Sequence, residues 1–155
     1  MIDEKSLKIL KILQNKARIP NVEVARQVDM APSAVLERIR KLEQKGFIDG
    51  YEVRLNPEKF KRNLVAFITI DTSSQERVIL TSKRLTTIPE IQEVHHITGE
   101  DGFLVKVRVS DVTELGKLIQ DKILPIAGVK KTHTAIAMTT FKETARIPID
   151  THDIQ

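Results

Sequence analysis

Residues 32–45 constrain this chain more than any other stretch. Pro32 opens an amphipathic run in which Val35, Ile39 and Leu42 recur at spacings of four and three, and Gly46 closes it. That period predicts a helix with one buried stripe, running to about Lys45. A proline at the first helical position gives up no hydrogen bond, and a glycine supplies the left-handed stop. Two shorter helical patterns precede it. Leu7, Ile9, Leu10 and Leu13 mark the first, over residues 3–14, with Asp3 as an N-cap whose charge suits the helix dipole. Arg18-Ile19-Pro20-Asn21 interrupts that pattern, and Asn21 is expected to cap a second helix faced by Val24, Ala25 and Val28. Asp29-Met30-Ala31 forms the turn before Pro32. After Gly46, Asp49-Gly50 is a hairpin signal followed by alternating Tyr51, Val53 and Leu55. Three short helices and a small hairpin predict a winged helix-turn-helix over residues 1–55. Asn56-Pro57 marks its exit, and residues 56–63 read as a linker or short connecting helix.

The remainder alternates differently. Strands are expected at 64–71, 91–98, 103–109 and 129–141, with helices at 75–88, ending before Pro89, and from Asp111, a cap residue, to Pro125. Val112, Leu115, Ile119 and Ile123 mark the apolar face of that last helix. The order βαββαβ is the ferredoxin-like arrangement, so the chain is α+β, with a second domain over 64–145 and a loose tail over 146–155. In the first strand both Leu64, Ala66, Ile68 and Ile70 and the opposite Val65, Phe67 and Thr69 are largely apolar. A strand wet on one side alternates more cleanly. The open sheet face is therefore expected to be covered by a second copy of the chain, the alternative being the tail folded back.

Composition narrows the function classes. There is no Cys, which removes disulfides, thiolate metal sites and cysteine nucleophiles. No run approaches the roughly 18 apolar residues of a membrane span, and Met1-Ile2-Asp3-Glu4-Lys5 does not read as a secretory signal, so a soluble cytoplasmic protein is expected. Residues 1–62 hold fourteen Lys/Arg against nine Asp/Glu, while residues 63–155 hold eleven against twelve. A basic module beside a neutral one suits a polyanion partner, although such an excess is also ordinary for a solvated surface.

In a helix-turn-helix the second helix enters the major groove of double-stranded DNA, N-terminal end first. Its outward residues are expected to be Ser33, Ala34, Glu37, Arg38 and Lys41. Arg takes guanine bidentately, Glu accepts from cytosine and Ser serves either way. Arg40, Lys41 and Lys45 are candidates for phosphates, with Arg54 from the wing. Each cation alone reads better as a solvated surface residue. What favours DNA is several of them around one well-defined helix.

These features together resemble the Lrp/AsnC, or feast/famine, family of bacterial and archaeal regulators, over roughly residues 3–148. The match runs through Asp3, Ile9-Leu10 and Leu13, Arg18, Val24-Ala25, Pro32-Ser33-Ala34-Val35, Arg38-Ile39-Arg40-Lys41-Leu42-Glu43, Gly46 and Ile48-Asp49-Gly50-Tyr51. In the second domain it runs through Gly99-Glu100-Asp101-Gly102-Phe103-Leu104, Ala127-Gly128-Val129 and Thr132-His133-Thr134. The resemblance implies a homodimer, often an octamer of four dimers, DNA bending or wrapping, and an ACT-like second domain that binds an amino-acid effector between dimers. By position the effector residues are Gly99, Glu100, Asp101, Gly102 and Phe103 with Thr132 and Thr134. Loop N–H groups and hydroxyls suit a zwitterion. Two positions depart from the family pattern. Gly102 stands where an acid is usual, and Ala31 stands where a Ser caps the recognition helix.

Two other classes share parts of this pattern. Sirohaem decarboxylases use the same architecture with a His in the second domain, which draws attention to His95, His96 and His133. Adjacent strand residues point to opposite faces, so His95 and His96 do not share a metal. No catalytic set, metal site or cofactor is expected beyond the effector, and no enzyme activity. An effector-independent nucleoid protein would share only the first domain's chemistry.

Overall fold

The computed structural model describes residues 2–72, 77–99 and 102–150. The chain divides into two compact units. One is built from the chain up to Arg54 together with the segment from Glu143 onward, and the other from Leu55 to Lys142.

The first unit is helical: α1 (Glu4–Asn15), α2 (Asn21–Val28) and α3 (Pro32–Gln44). Asp3 caps α1 as expected, its Oδ1 accepting the Ser6 N–H at 2.8 Å. Asn21 does not cap α2. It is the first helical residue, and Pro20 holds the cap position with no side-chain bond. Asp29, at φ 52°, makes the left-handed turn before α3, and Lys5 donates to its carbonyl at 3.1 Å. A short polar side chain tolerates that conformation better than most. Val24, Ala25, Val28, Val35, Ile39 and Leu42 close with Ile2, Ile9 and Leu13 into one core.

The expected hairpin does not form: residues 47–56 hold no strand. The N–H groups of Gly46, Phe47 and Ile48 are taken by the end of α3, donating to Glu43 O at 3.0 Å, Leu42 O at 2.9 Å and Leu42 O at 3.3 Å. Gly46 at φ 71° makes this Schellman closure possible. Too little chain remains before Asp49-Gly50 for a first arm. Tyr51 instead donates its hydroxyl to Glu43 Oε1 at 2.9 Å.

The tail is not loose as far as Asp150. Ile147 N–H donates to Gln14 Oε1 at 2.9 Å, and Gln14 Nε2 donates to Ile147 O at 3.1 Å. Arg146 adds a 2.9 Å bond to Asn15 Oδ1. The end of α1 thus holds this segment inside the helical unit. No local signal in the sequence announces it.

The second unit opens with a 3-10 turn at Pro57–Phe60, capped by Asn56, where a linker or short helix was expected. Then follow β1 (Leu64–Thr72), α4 (Val78–Leu85), β2 (Ile91–His96), β3 (Phe103–Val109), α5 (Val112–Lys117) and β4 (Val129–Ile136). The sheet is antiparallel in the order β2-β3-β1-β4. Ala66, Ile68, Ile70, Phe103, Val105, Val107 and Val109 line its covered face and pack with Leu85, Ile88, Leu115, Leu118 and Ile123. Of the apolar stripe expected on this helix, Leu115, Ile119 and Ile123 pack on the core, and only Val112, at its start, is exposed. Leu118 joins the core as well, where the helix continues from Leu118 to Ile123 as a π-helix. Hydrogen bonds five residues apart widen that turn and let Leu118 and Ile123 both face inward.

The other sheet face carries Phe67, half-exposed at the centre, with Lys106 and Ala135 as its strand neighbours. Glu93 binds His95 and Lys106 there, each at 3.1 Å. The face is therefore mixed, apolar at Phe67 on β1 and charged on β2 and β3. Beyond β4, Met138 and Phe141 are 99% and 97% exposed.

Candidate nucleic-acid interface and ligand site

Because α3 buries Val35, Ile39 and Leu42, its opposite side is presented outward. Ser33, Leu36, Glu37, Arg40, Lys41 and Gln44 are all exposed on that stripe. Ala34 is half-buried beside it, and Lys45 and Arg54 are exposed. Arg40, Lys45 and Arg54 have no ion-pair partner among the described residues. Glu37 and Lys41 pair at 2.7 Å, one turn apart, and this ammonium holds the Glu37 carboxyl below its usual range. Lys41 must exchange that carboxylate for a phosphate or base to act on DNA. Leu36, 38% exposed, was not foreseen, although the spacing from Ser33 would have found it. An apolar side chain in this place suits a thymine methyl.

Arg38 lies elsewhere. Its Nη1 donates to Asp3 Oδ2 at 2.5 Å and to Ser6 Oγ at 3.0 Å, so in this structure its guanidinium is drawn towards α1 rather than outward. The expected place of Arg38 among the outward residues is corrected accordingly. Helical spacing puts position 38 at the edge of the stripe, and a carboxylate within reach decides the direction. The same hydrogen bond, with help from the Ser6 N–H and hydroxyl, lowers the Asp3 pKa to about 2. Ala31 holds the cap position of α3 in extended backbone and makes no side-chain bond.

In the second unit, Glu100 and Asp101 lie outside the described residues. Gly99 takes φ 116°, a conformation suited to glycine. Gly102 donates its N–H to Ile70 O at 2.9 Å and needs its lack of a side chain for another reason. A Cβ there would meet Thr72 Oγ1 at 2.6 Å and Cγ2 at 2.9 Å. Thr72 occupies the space from which an acidic side chain would start. Phe103 is a core residue, 1% exposed and 5.4 Å from the His96 ring, so its side chain does not line a ligand surface. Thr132 and Thr134 are half-buried on β4, opposite Ile70 and Ile68. The two halves of the expected ligand site thus flank β1 from opposite sides, roughly two strand spacings or about 10 Å apart. Among the described residues no group of His, Asp and Glu is placed to hold a metal. A concavity of about 280 Å³ on the helical unit is lined by Lys11, Ile12, Asn15, Lys16, Ile19 and Gln27, none of them on α3.

Comparison with known proteins finds two families along the chain. A winged helix-turn-helix DNA-binding family matches residues 2–49, and the Lrp/AsnC ligand binding domain matches residues 65–147. The leucine-responsive regulatory protein of Escherichia coli K12 is 35% identical over 152 residues, covering 97% of this chain and 93% of that one. Among solved structures, a Neisseria meningitidis transcriptional regulator in complex with L-Met superposes with a TM-score of 0.90 at 27% identity, covering 96% of this chain and 97% of the other. Escherichia coli AsnC gives 0.87 at 25% identity, covering 96% and 99%. A helix-turn-helix with an outward polar stripe, a four-stranded antiparallel sheet with helices on one face, and these full-length likenesses place the chain in the Lrp/AsnC family of DNA-binding transcriptional regulators.

Proposed function

We propose that the protein reads double-stranded DNA sequence through α3, works as a homodimer or octamer of four dimers, and answers to an amino acid. The observation that carries the DNA reading is the exposed stripe Ser33, Leu36, Glu37, Arg40, Lys41 and Gln44 on a helix whose other side is fully committed to the core. Ser33, Ala34, Glu37 and Lys41 face base edges, Leu36 a thymine methyl, and Arg40, Lys45 and Arg54 the phosphates.

Assembly is supported by the central, half-exposed Phe67 and by Met138 and Phe141, which a single chain leaves in water. Effector sensing is supported by Gly99, Gly102, Thr132 and Thr134 and by the L-methionine bound in the Neisseria relative. Since β1 separates Gly102 from the two threonines, a zwitterion of ordinary size touches both sets only where a second chain completes the site. Gly102 brings no acid, so Glu100 or Asp101 is left as the acceptor for the ammonium. A regulator fits better than an enzyme because α3 is well formed. The histidines also have other settings: His95 is paired to Glu93, and His96 lies against Phe103.

The test is DNA footprinting on the upstream region of the protein's own gene, with each amino acid added in turn and melting points taken in parallel. A discrete footprint that shifts with one amino acid supports the proposal. Uniform binding to all DNA would favour the nucleoid reading, and a melting point indifferent to every amino acid would end the sensing part.

A further inference from the structure

We infer that Arg38 is a positioning residue of the DNA-binding unit: it sets the orientation of α3 by tying the helix to the first turn of α1, and it does not read a base. The inference rests on the DNA reading proposed above.

The tie is built from three side chains on two helices. Asp3 uses both carboxylate oxygens. Oδ1 accepts the Ser6 N–H at 2.8 Å and so caps α1, while Oδ2 accepts from Arg38 Nη1 at 2.5 Å. Ser6, itself buried at 7% exposure, accepts from the same nitrogen at 3.0 Å. The bonds span 35 and 32 residues of sequence and join the start of α1 to the middle of α3. Lys5, in the same turn of α1, donates to the carbonyl of Asp29 in the turn that precedes α3. The first turn of α1 therefore grips the reading helix at its entry and at its centre.

Between these helices the remaining contacts are apolar and non-directional. They exclude water but leave rotation of α3 about its axis loosely specified. A charge-assisted bond with fixed geometry removes that freedom. Rotation matters because Ser33, Glu37 and Lys41 meet base edges only when the stripe faces the groove. The Arg38 side chain is 32% exposed, whereas that of the outward Lys41 is 62% exposed.

Asp3→Asn provides the test, because Asn caps helices as well as Asp does and only the charge is lost. Operator and random-DNA affinities are measured for wild type, Asp3→Asn, Arg38→Ala, the double variant and Arg38→Lys, each well below its own melting point. Positioning through Asp3 predicts that both single variants lose roughly tenfold in operator affinity, within the range for residues sharing one bonded network. The double variant loses no more than either single one, Arg38→Lys recovers part of the loss, and the salt slope stays at the wild-type value. If Arg38→Ala weakens operator binding while Asp3→Asn does not, Arg38 touches DNA and the inference is overturned. A salt slope lower by about one for Arg38→Ala points to a phosphate contact and overturns it equally. If both singles melt earlier yet bind the operator as wild type does, the tie serves stability alone and the inference again fails. Wild type that prefers no DNA sequence would overturn the DNA reading itself, before any variant is compared.

Discussion

Single positions in this chain are decided by neighbours that are distant in sequence. Gly102 looks like a loop glycine, but its backbone is not in the left-handed region, and what it requires is room for Thr72. Thr72 is β-branched and stiff, so it yields poorly. Gly102→Asp is expected to destabilise the second unit by about 1–3 kcal/mol, the usual cost of overpacking. Adding Thr72→Ala should recover most of it, and denaturant unfolding of the two singles and the double will show whether the positions couple. Independent, additive losses would mean that Thr72 is not the obstacle. Asp3 makes a second residue-scale case. Folded, its carboxyl ionises near 2, chiefly because Arg38 bonds to the charged form, whereas the unperturbed value is 3.8. A depressed folded pKa gives stability that is present above about pH 4 and lost as pH falls through 2. The side chain is more than half exposed, which limits the effect to about 1 kcal/mol. The stability gap between wild type and Asp3→Asn should therefore shrink between about pH 5 and pH 2.5 in urea unfolding. A gap that is constant across that range would show that the Arg38 contact is not made in solution.

Elements with a strong internal period were legible in the sequence, and those fixed by tertiary contacts were not. The buried stripe of α3, the Asp3 and Asp111 caps and the βαββαβ order follow from local pattern, and the structure has each of them. The hairpin after Gly46 fails because the Schellman closure takes the N–H groups that it needed. The burial of Leu118 beside the expected Leu115, Ile119 and Ile123 goes with a π-turn, which a 3.6-residue template does not anticipate. Of the candidate site, the outward face of α3 was readable except at its edge, where Asp3 redirects Arg38 and where Leu36 was passed over. Phe103 was assigned from a motif and proved to be core. Two elements lend themselves to direct tests. Ala31 has extended cap backbone without a side-chain bond, so Ala31→Ser should add about 1 kcal/mol to the helical unit. Unchanged thermal unfolding would mean that Pro32 already makes up for the missing cap. Gln14 accepts the Ile147 N–H while Arg146 holds the same segment to Asn15, so Gln14→Ala should lower exchange protection of the Ile147 amide while α1 amides keep theirs. Equal protection in both proteins would show that Gln14 does not hold the segment.

At the scale of the whole molecule, charge and assembly bear on the same property. The basic excess resides in residues 1–62, while residues 63–155 are near neutral, so the stretch that carries the sheet adds little like-charge repulsion to an association through that sheet. In the proposed assembly, two helix-turn-helix units joined through their second units would reach two half-sites one or more helical turns, about 34 Å each, apart on one face of DNA. Phe67 is the natural place to separate these effects, because it is the central apolar side chain of the open sheet face and belongs to the second unit, whereas every residue proposed to meet DNA belongs to the first. Phe67→Arg puts a charge among Lys106 and its neighbours and should raise the dimer dissociation constant about thirtyfold or more, as loss of about 2 kcal/mol at an interface centre does. Sedimentation velocity measures that directly. The same variant should bind a single half-site as wild type does, since α3 is untouched. On a full operator its salt slope should fall towards half, because half as many phosphates are neutralised per binding event. A monomeric variant that keeps the full slope would separate DNA reading from assembly. A dimer unaffected by the arginine would place the interface elsewhere, with the exposed Met138 and Phe141 as the next residues to change.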